Sequence, residues 1–277
     1  MYDRNMAGQK HFHHHSSFIS LTTIKRHYFS LLIALVFLIL VFLGIFRFIS
    51  PLELKTVPES LSFSMLFWAV IATLNRLFVA YVLAIIFAIP LALLAVAKPR
   101  LEVFLLPFFD ILQSVPVLAF FPLIVLVFVK VQFFEGAAIF VLFVAMLWNL
   151  VFSIIAGLKT IPADIHDAAF VFHARGWKKL FYVVLPAIFP YLVTGSLLAW
   201  AQGWNIIIVA EVLHNYIPNN LPSQDLEGLG SLLVNAGTNN QNDIFLAGII
   251  VLVVLIATIN YFVWQKLLKR AERYKFD

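Results

Sequence analysis

The sequence predicts an all-α, polytopic membrane protein with six transmembrane helices. Three observations carry this prediction. Of 277 residues, 62% are hydrophobic and only 12% charged, where soluble domains carry about a quarter charged residues. The mean hydropathy is +0.97. Six apolar runs reach the length of roughly 20 residues that crosses a hydrocarbon core. No cysteine is present, which excludes disulfides, thiolate metal sites and cysteine nucleophiles.

Residues 1–28 form a polar tail carrying His13, His14 and His15. A His-rich tract can hold a divalent metal, but no second cluster or carboxylate partner lies near in sequence, so a solvated tail is the expectation. The first span runs from Phe29 to Phe48, preceded by Lys25 and Arg26. Its apolar core exceeds the 7 to 15 residues or so of a signal peptide, and no small-x-small cleavage site follows, so it reads as an uncleaved anchor with an external loop reaching to residue 66.

The second span, Phe67 to Ala97, repeats Ala80, Ala84 and Ala88 every four residues, a stripe that lets another helix approach closely. Arg76 sits a few turns from its outer end, to snorkel or to pair with a carboxylate. Lys98-Pro99-Arg100 closes it on the inner side. The third span, Leu101 to Val129, is broken by Pro107, Pro116 and Pro122, each of which removes a backbone donor and bends a helix. Asp110, Gln113 and Ser114 lie beside these breaks. They either line a path through the membrane or satisfy the helix's own freed backbone, and the sequence leaves both readings standing.

The fourth span is Phe133 to Leu158 and the fifth Pro186 to Val212. In the fifth, Gly195, Ala199 and Gly203 form a small-residue stripe that predicts a tight helix contact, here with a second copy of the same kind of subunit. Gln202 and Asn205 near its middle join the path candidates. Residues 213–243 read as an external loop, in which Leu229 to Ala236 is too short to cross and either re-enters or lies on the surface. The sixth span, Ile244 to Leu268, ends in Tyr261 and Trp264 as an aromatic belt and a basic tail over 269–277.

Sidedness follows from counting. Of 19 lysines and arginines, 15 fall on the side of the two termini, and Arg47, Lys55, Arg76 and Lys130 on the other. This bias places both termini and the 159–180 loop in the cytoplasm. It also accounts for the net charge of +5 through topology, with no nucleic-acid partner needed.

The 159–180 loop is the long polar interruption on the cytoplasmic side, between the fourth and fifth spans. Pro162 suits a first helical turn, Asp164 and Asp167 place negative charge near a helix start, and His173 and Arg175 place donors near its end. Ile165, Ala168, Ala169 and Phe172 recur on one face, with Asp164, His166 and Asp167 around the rest. Gly176 is expected to close this helix in a left-handed conformation, after which Trp177, Lys178 and Lys179 return the chain to the membrane surface.

Asp167-Ala168-Ala169, Trp177 and Leu185-Pro186 resemble the coupling loop of ABC importer permeases, whose motif runs Glu-Ala-Ala, then a Gly, then Leu-Pro. The motif's Glu is the shorter Asp167, and its Gly falls on His173. Ala72-Thr73-Leu74-x-Arg76, Lys98-Pro-Arg-Leu-Glu102, Ser114-Val-Pro116-Val-Leu-Ala119 and Val209-Ala210-Glu211 with Gly228-Leu-Gly230 are similar to the branch serving nitrate, sulfonate and taurine importers. Relatives of that branch often carry Arg-Pro where this chain has Gln113-Ser114.

The resemblance implies a type I ABC importer permease fold, with residues 67–268 as the permease core, in a bacterial cytoplasmic (inner) membrane. It implies two ABC ATPase subunits that hold ATP and Mg, a second permease subunit, and an external solute-binding protein. Asp164, Asp167, Ala168, Ala169, His173, Arg175, Gly176 and Trp177 would then couple the chain to its ATPase. No P-loop is present to cradle a nucleotide, and no zinc-helix or nucleophile-turn motif occurs. The chain is therefore expected to bind no cofactor and to catalyse no reaction itself. An ion-coupled secondary transporter and a non-transporting membrane scaffold are the alternatives.

Overall fold

The computed structural model describes residues 63–213 and 225–274. The first span, the histidine tail and part of the outer loop lie outside these. The described residues are helical throughout, with turns between.

Helix α1 is Phe63–Val96, 34 residues and about 50 Å long at 1.5 Å per residue. Helices α2 (Pro99–Ser114) and α3 (Phe121–Lys130) are joined by a short 3-10 turn and meet at a bend of 69°. The prolines explain the break. Pro122 occupies the first turn of α3, where its missing N–H costs nothing, and Pro116 holds the link extended. Helix α4 is Phe134–Lys159, α5 the short Ala163–Val171, and α6 runs over Trp177–Ala210 through a π-turn at Leu180–Val184. Helix α7 is Leu229–Thr238, and α8 covers Asn242–Tyr274. By length and composition, α1, α4, α6 and α8 can each cross a membrane, and the α2–α3 pair makes a fifth span when counted as one.

Helix α4 is the axis of the bundle, packed between α1 and α6. Lipid tails are as apolar as leucine, so close backbone approach and not hydrophobic transfer drives this packing. The alanine stripe of α1 serves this purpose, because Ala80, Ala84, Ala88 and Ala92 are all fully buried. A second stripe lies on α6 and corrects an expectation. A Cβ at Gly195 would meet Ser153 and the Asn149 carbonyl, one at Gly203 would overlap Met146 and Leu77, and Ala199 is fully buried. Gly195, Ala199 and Gly203 are thus consumed inside the chain by α4 and α1, so they cannot also form the expected contact with a second subunit.

Helix α7 is neither a span nor a surface segment. Leu229, Leu232, Leu233 and Ala236 are buried, and the helix packs against α8, α6 and α1. Most of the middle of α8 is exposed.

Candidate functional site

The two ends of α4 carry different chemistry. At its N-terminal end lies a buried ionic knot. The Arg76 guanidinium donates from Nε and Nη2 to both oxygens of Glu135 (2.6 and 2.7 Å). Its Nη1 donates to Glu211 Oε1 (2.8 Å) and to the Glu227 carbonyl (2.7 Å). Glu211, fully buried, also accepts from the Thr73 hydroxyl at Oε1 and from the Gly230 N–H at Oε2, both at 2.7 Å. Thr73 in turn accepts from the Leu229 N–H (2.9 Å). One planar donor fork therefore ties α1, the start of α4, the end of α6 and the entry to α7 together.

The Gly230 N–H in the first turn of α7 aims at the Glu211 carboxylate, the favourable end of that helix's dipole for an anion. A Cβ at Gly228 would overlap this carboxylate, and one at Gly230 would lie 2.6 Å from the Ile208 Cα. This explains why Glu211 is followed by a Gly-Leu-Gly. The two glycines let the backbone close over the charge. Of the two sequence readings of Arg76, pairing holds and snorkelling does not.

At the C-terminal end of α4 the chain leaves the bundle as a handle. Lys159 pairs with Glu102 at 2.6 Å, and Thr160 donates from its hydroxyl to the Gly157 carbonyl (2.9 Å). Pro162 is the extended residue before α5 and not its first helical one. Asp164, Asp167 and Ala168 are exposed on α5, while Ala169 is buried at 5% exposure. The apolar face expected for this helix is narrower in the fold. Ala169 is buried and Ile165 half-buried, whereas Phe172 stands 83% exposed beside Phe170 and Val171.

The end of α5 departs from expectation. The helix closes at His173 (φ +54°) and not at Gly176, with the Ala174 N–H reaching back to the Ala169 carbonyl (2.9 Å) in the pattern that closes helices. His173 stands at the position where the motif has glycine and makes this turn. Gly176 (φ +56°) instead starts α6, its carbonyl accepting from the Leu180 N–H at 3.1 Å. Arg175 stacks over the Phe170 ring at 5.8 Å, and Trp177 over Phe181.

A left-handed L-residue costs roughly 1–2 kcal/mol, so His173→Gly is expected to steady the handle by about 1 kcal/mol. Hydrogen exchange of the α5 amides would slow about fivefold, the factor that such a free energy sets. Unchanged exchange would show that the turn is imposed by its surroundings.

Between the knot and the handle run exposed polar groups. On α6, Thr194, Gln202 and Asn205 are exposed at helical spacing. On α4, Ser153 joins Thr160, Tyr191, Thr194 and Tyr274 around a cavity of about 510 Å³ rich in hydroxyls. Gln113 and Asp110 are exposed on α2, and the Ser114 hydroxyl donates to the Asp110 carbonyl (2.8 Å). Ser114 thus satisfies its own helix, as does Thr194 through the Pro190 carbonyl (3.0 Å), whereas Gln202 and Asn205 are exposed on α6. No hydrogen bond joins the α2 set to the α6 set among the described residues. Ser153, Tyr191 and Thr194 were missed in the sequence because single hydroxyls in apolar runs carry no motif. Their alignment with Gln202 and Asn205 becomes visible only once α4 and α6 are side by side.

A helical bundle of membrane-spanning length, with an exposed short helix slung between two spans, defines a polytopic membrane protein. The family described as binding-protein-dependent transport system inner membrane component matches residues 80–274. The chain belongs to this family of ABC importer permeases, in its nitrate, bicarbonate and taurine branch.

It is 33% identical over 183 residues, 66% of this chain and 62% of the relative, to the bicarbonate transport system permease protein CmpB of Synechococcus elongatus. It is 34% identical over 148 residues, 53% of this chain and 52% of the relative, to the nitrate import permease protein NrtB of Leptolyngbya laminosa. With the taurine transport system permease protein TauC of Escherichia coli it shares 27% identity over 198 residues, 72% of this chain and 67% of that one. The matched region thus spans between about half and two thirds of these relatives' length.

Proposed function

We propose that this chain is the membrane-spanning subunit of an ATP-driven importer that moves a small polar solute by alternating access. Two ATPase subunits would hold the ATP and Mg, a second permease subunit would complete the path, and a solute-binding protein would deliver the solute from outside. The chain itself would carry out no hydrolysis. Both termini and the 159–180 loop would lie in the cytoplasm, and Phe29 to Phe48 would supply the sixth span.

The observation that carries this reading is helix α5. It is short, exposed at Asp164, Asp167 and Ala168, with Ala169 buried and Ile165 packed against the bundle core. A lever needs this arrangement, with one face seated on the bundle and the other free for a partner. The solute path would run along the exposed α6 stripe of Thr194, Gln202 and Asn205 and the adjacent Ser153. Polar side chains at membrane depth are costly against lipid and tolerable against water. Asp110 and Gln113 on α2 would join that path from the other half-channel, with Ser114 beside them. The names of the relatives point to bicarbonate, nitrate or taurine as the class of solute.

Ion-gradient coupling would need a titratable group free to exchange a proton or cation. Arg76 and Glu211 are committed to each other, which leaves Asp110 as the one such group on α2. The test is reconstitution of the chain with its ATPase in vesicles. ATP hydrolysis that rises when the loaded binding protein is added, and uptake that stops without the ATPase, are expected. Uptake persisting without the ATPase would overturn the proposal.

A further inference from the structure

We propose that the groove between α1, the end of α4 and the start of α6 binds one anionic phospholipid at the membrane surface. The groove encloses about 720 Å³ and is walled by Leu93, Leu158, Leu180 and Val184. Its rim carries Lys159, Lys179, Trp177 and Glu102. These two halves match the two halves of a glycerophospholipid, with acyl chains against the leucines and the headgroup at the lysines.

Charge selects among lipids. Lys159 and Glu102 neutralise each other across 2.6 Å. Lys179 makes no ion pair among the described residues, so the rim keeps one positive charge. A phosphodiester bearing one negative charge balances it. A zwitterionic headgroup would bring an ammonium that the rim has already matched, because the carboxylate is occupied by Lys159.

Position argues the same way. The groove opens where three membrane-spanning elements reach the polar boundary. Trp177 sits there 74% exposed and stacked on Phe181, an aromatic placement typical of the headgroup level. Basic pockets between spans at this depth hold anionic headgroups. Gly176 (φ +56°) turns the chain at the start of α6, where Trp177 and Lys179 line the groove together. A lipid seated there would brace the joint between α5 and α6.

The experiment uses the full chain in nanodiscs whose two leaflets have the same composition, so its outcome does not depend on which side the groove faces. Brominated phosphatidylglycerol or brominated phosphatidylcholine is titrated over the same range of mole fractions. The fluorescence of the wild type minus that of Trp177→Phe isolates the Trp177 signal. The expected result is quenching by the phosphatidylglycerol at about fivefold lower mole fraction, the factor for one lysine near an anionic surface. Lys179→Gln should erase the preference, while Lys269→Gln in the basic tail should leave it.

Equal quenching by the two lipids, or a preference that survives Lys179→Gln, would overturn the assignment. Absence of quenching by either would also overturn it, by showing the groove covered by protein, either a partner subunit or the first span. Failure here leaves ATP-driven import standing, and failure of ATP-driven import leaves this assignment standing.

Discussion

Replacing Glu211 by alanine is expected to cost about 3 kcal/mol, the low end for breaking a buried ion pair, because Glu135 still balances the Arg76 charge. Arg76 would keep Glu135, but its Nη1 would face the empty space left by the carboxylate, and the Gly230 N–H and Thr73 hydroxyl would lose their acceptor. Helix α7 would then be released from α1 and α6, since its first turn is held through these bonds. The measurement is thermal denaturation of the detergent-purified chain, together with limited proteolysis across residues 225–241.

Glu211→Gln should cost less, because the amide oxygen still accepts one bond. Arg76→Lys should approach the alanine value, because an ammonium cannot serve Glu135, Glu211 and the Glu227 carbonyl in one plane. A loss below about 1 kcal/mol in Glu211→Ala, the level of a surface pair, would show that water and not protein solvates this site.

The second large effect concerns the handle. Ala168→Glu is expected to weaken ATPase binding by at least about 100-fold, or 2.7 kcal/mol, since a charge is forced into the centre of a packed contact without a partner. The chain should fold normally, because Ala168 is exposed. Ala169→Glu is the informative contrast. Ala169 is buried against the bundle, so the same side chain one position later should lower the melting temperature of the isolated chain itself. Co-purification of the ATPase and melting of the chain alone separate the two outcomes. Undiminished ATPase binding in Ala168→Glu would remove α5 as the docking element.

Both predictions rest on residues that the sequence displayed in unequal ways. The handle was legible locally. Its charges, its small residues and its place between two spans lie within about twenty consecutive residues, and helix ends are written in local chemistry. Even so, the assignment of the closing turn to Gly176 failed, because a glycine preference is statistical and the geometry of three consecutive carbonyls decided in favour of His173. The knot was legible only in pieces. Arg76 stood out as a charge in an oily helix, and Glu211 with its following glycines stood out as a motif, but 135 residues separate the two. Glu135 carried no signal at all, since a glutamate at a helix start is ordinary.

The small-residue stripe on α6 shows the same limit. Spacing announces that a helix will approach closely but not which helix, because α4 and a second copy present similar surfaces to a sequence reading. From the sequence alone came the all-helical membrane class, the basic side, and the short α5 helix with its motif, since each depends on composition or on residues within a few turns of one another. Partner choice needed three dimensions. Which carboxylates neutralise Arg76, which helix fills Gly195 and Gly203, and which hydroxyls align beside Gln202 and Asn205 were decided by how α1, α4 and α6 pack, because contacts between residues distant in the chain leave no periodic trace in it.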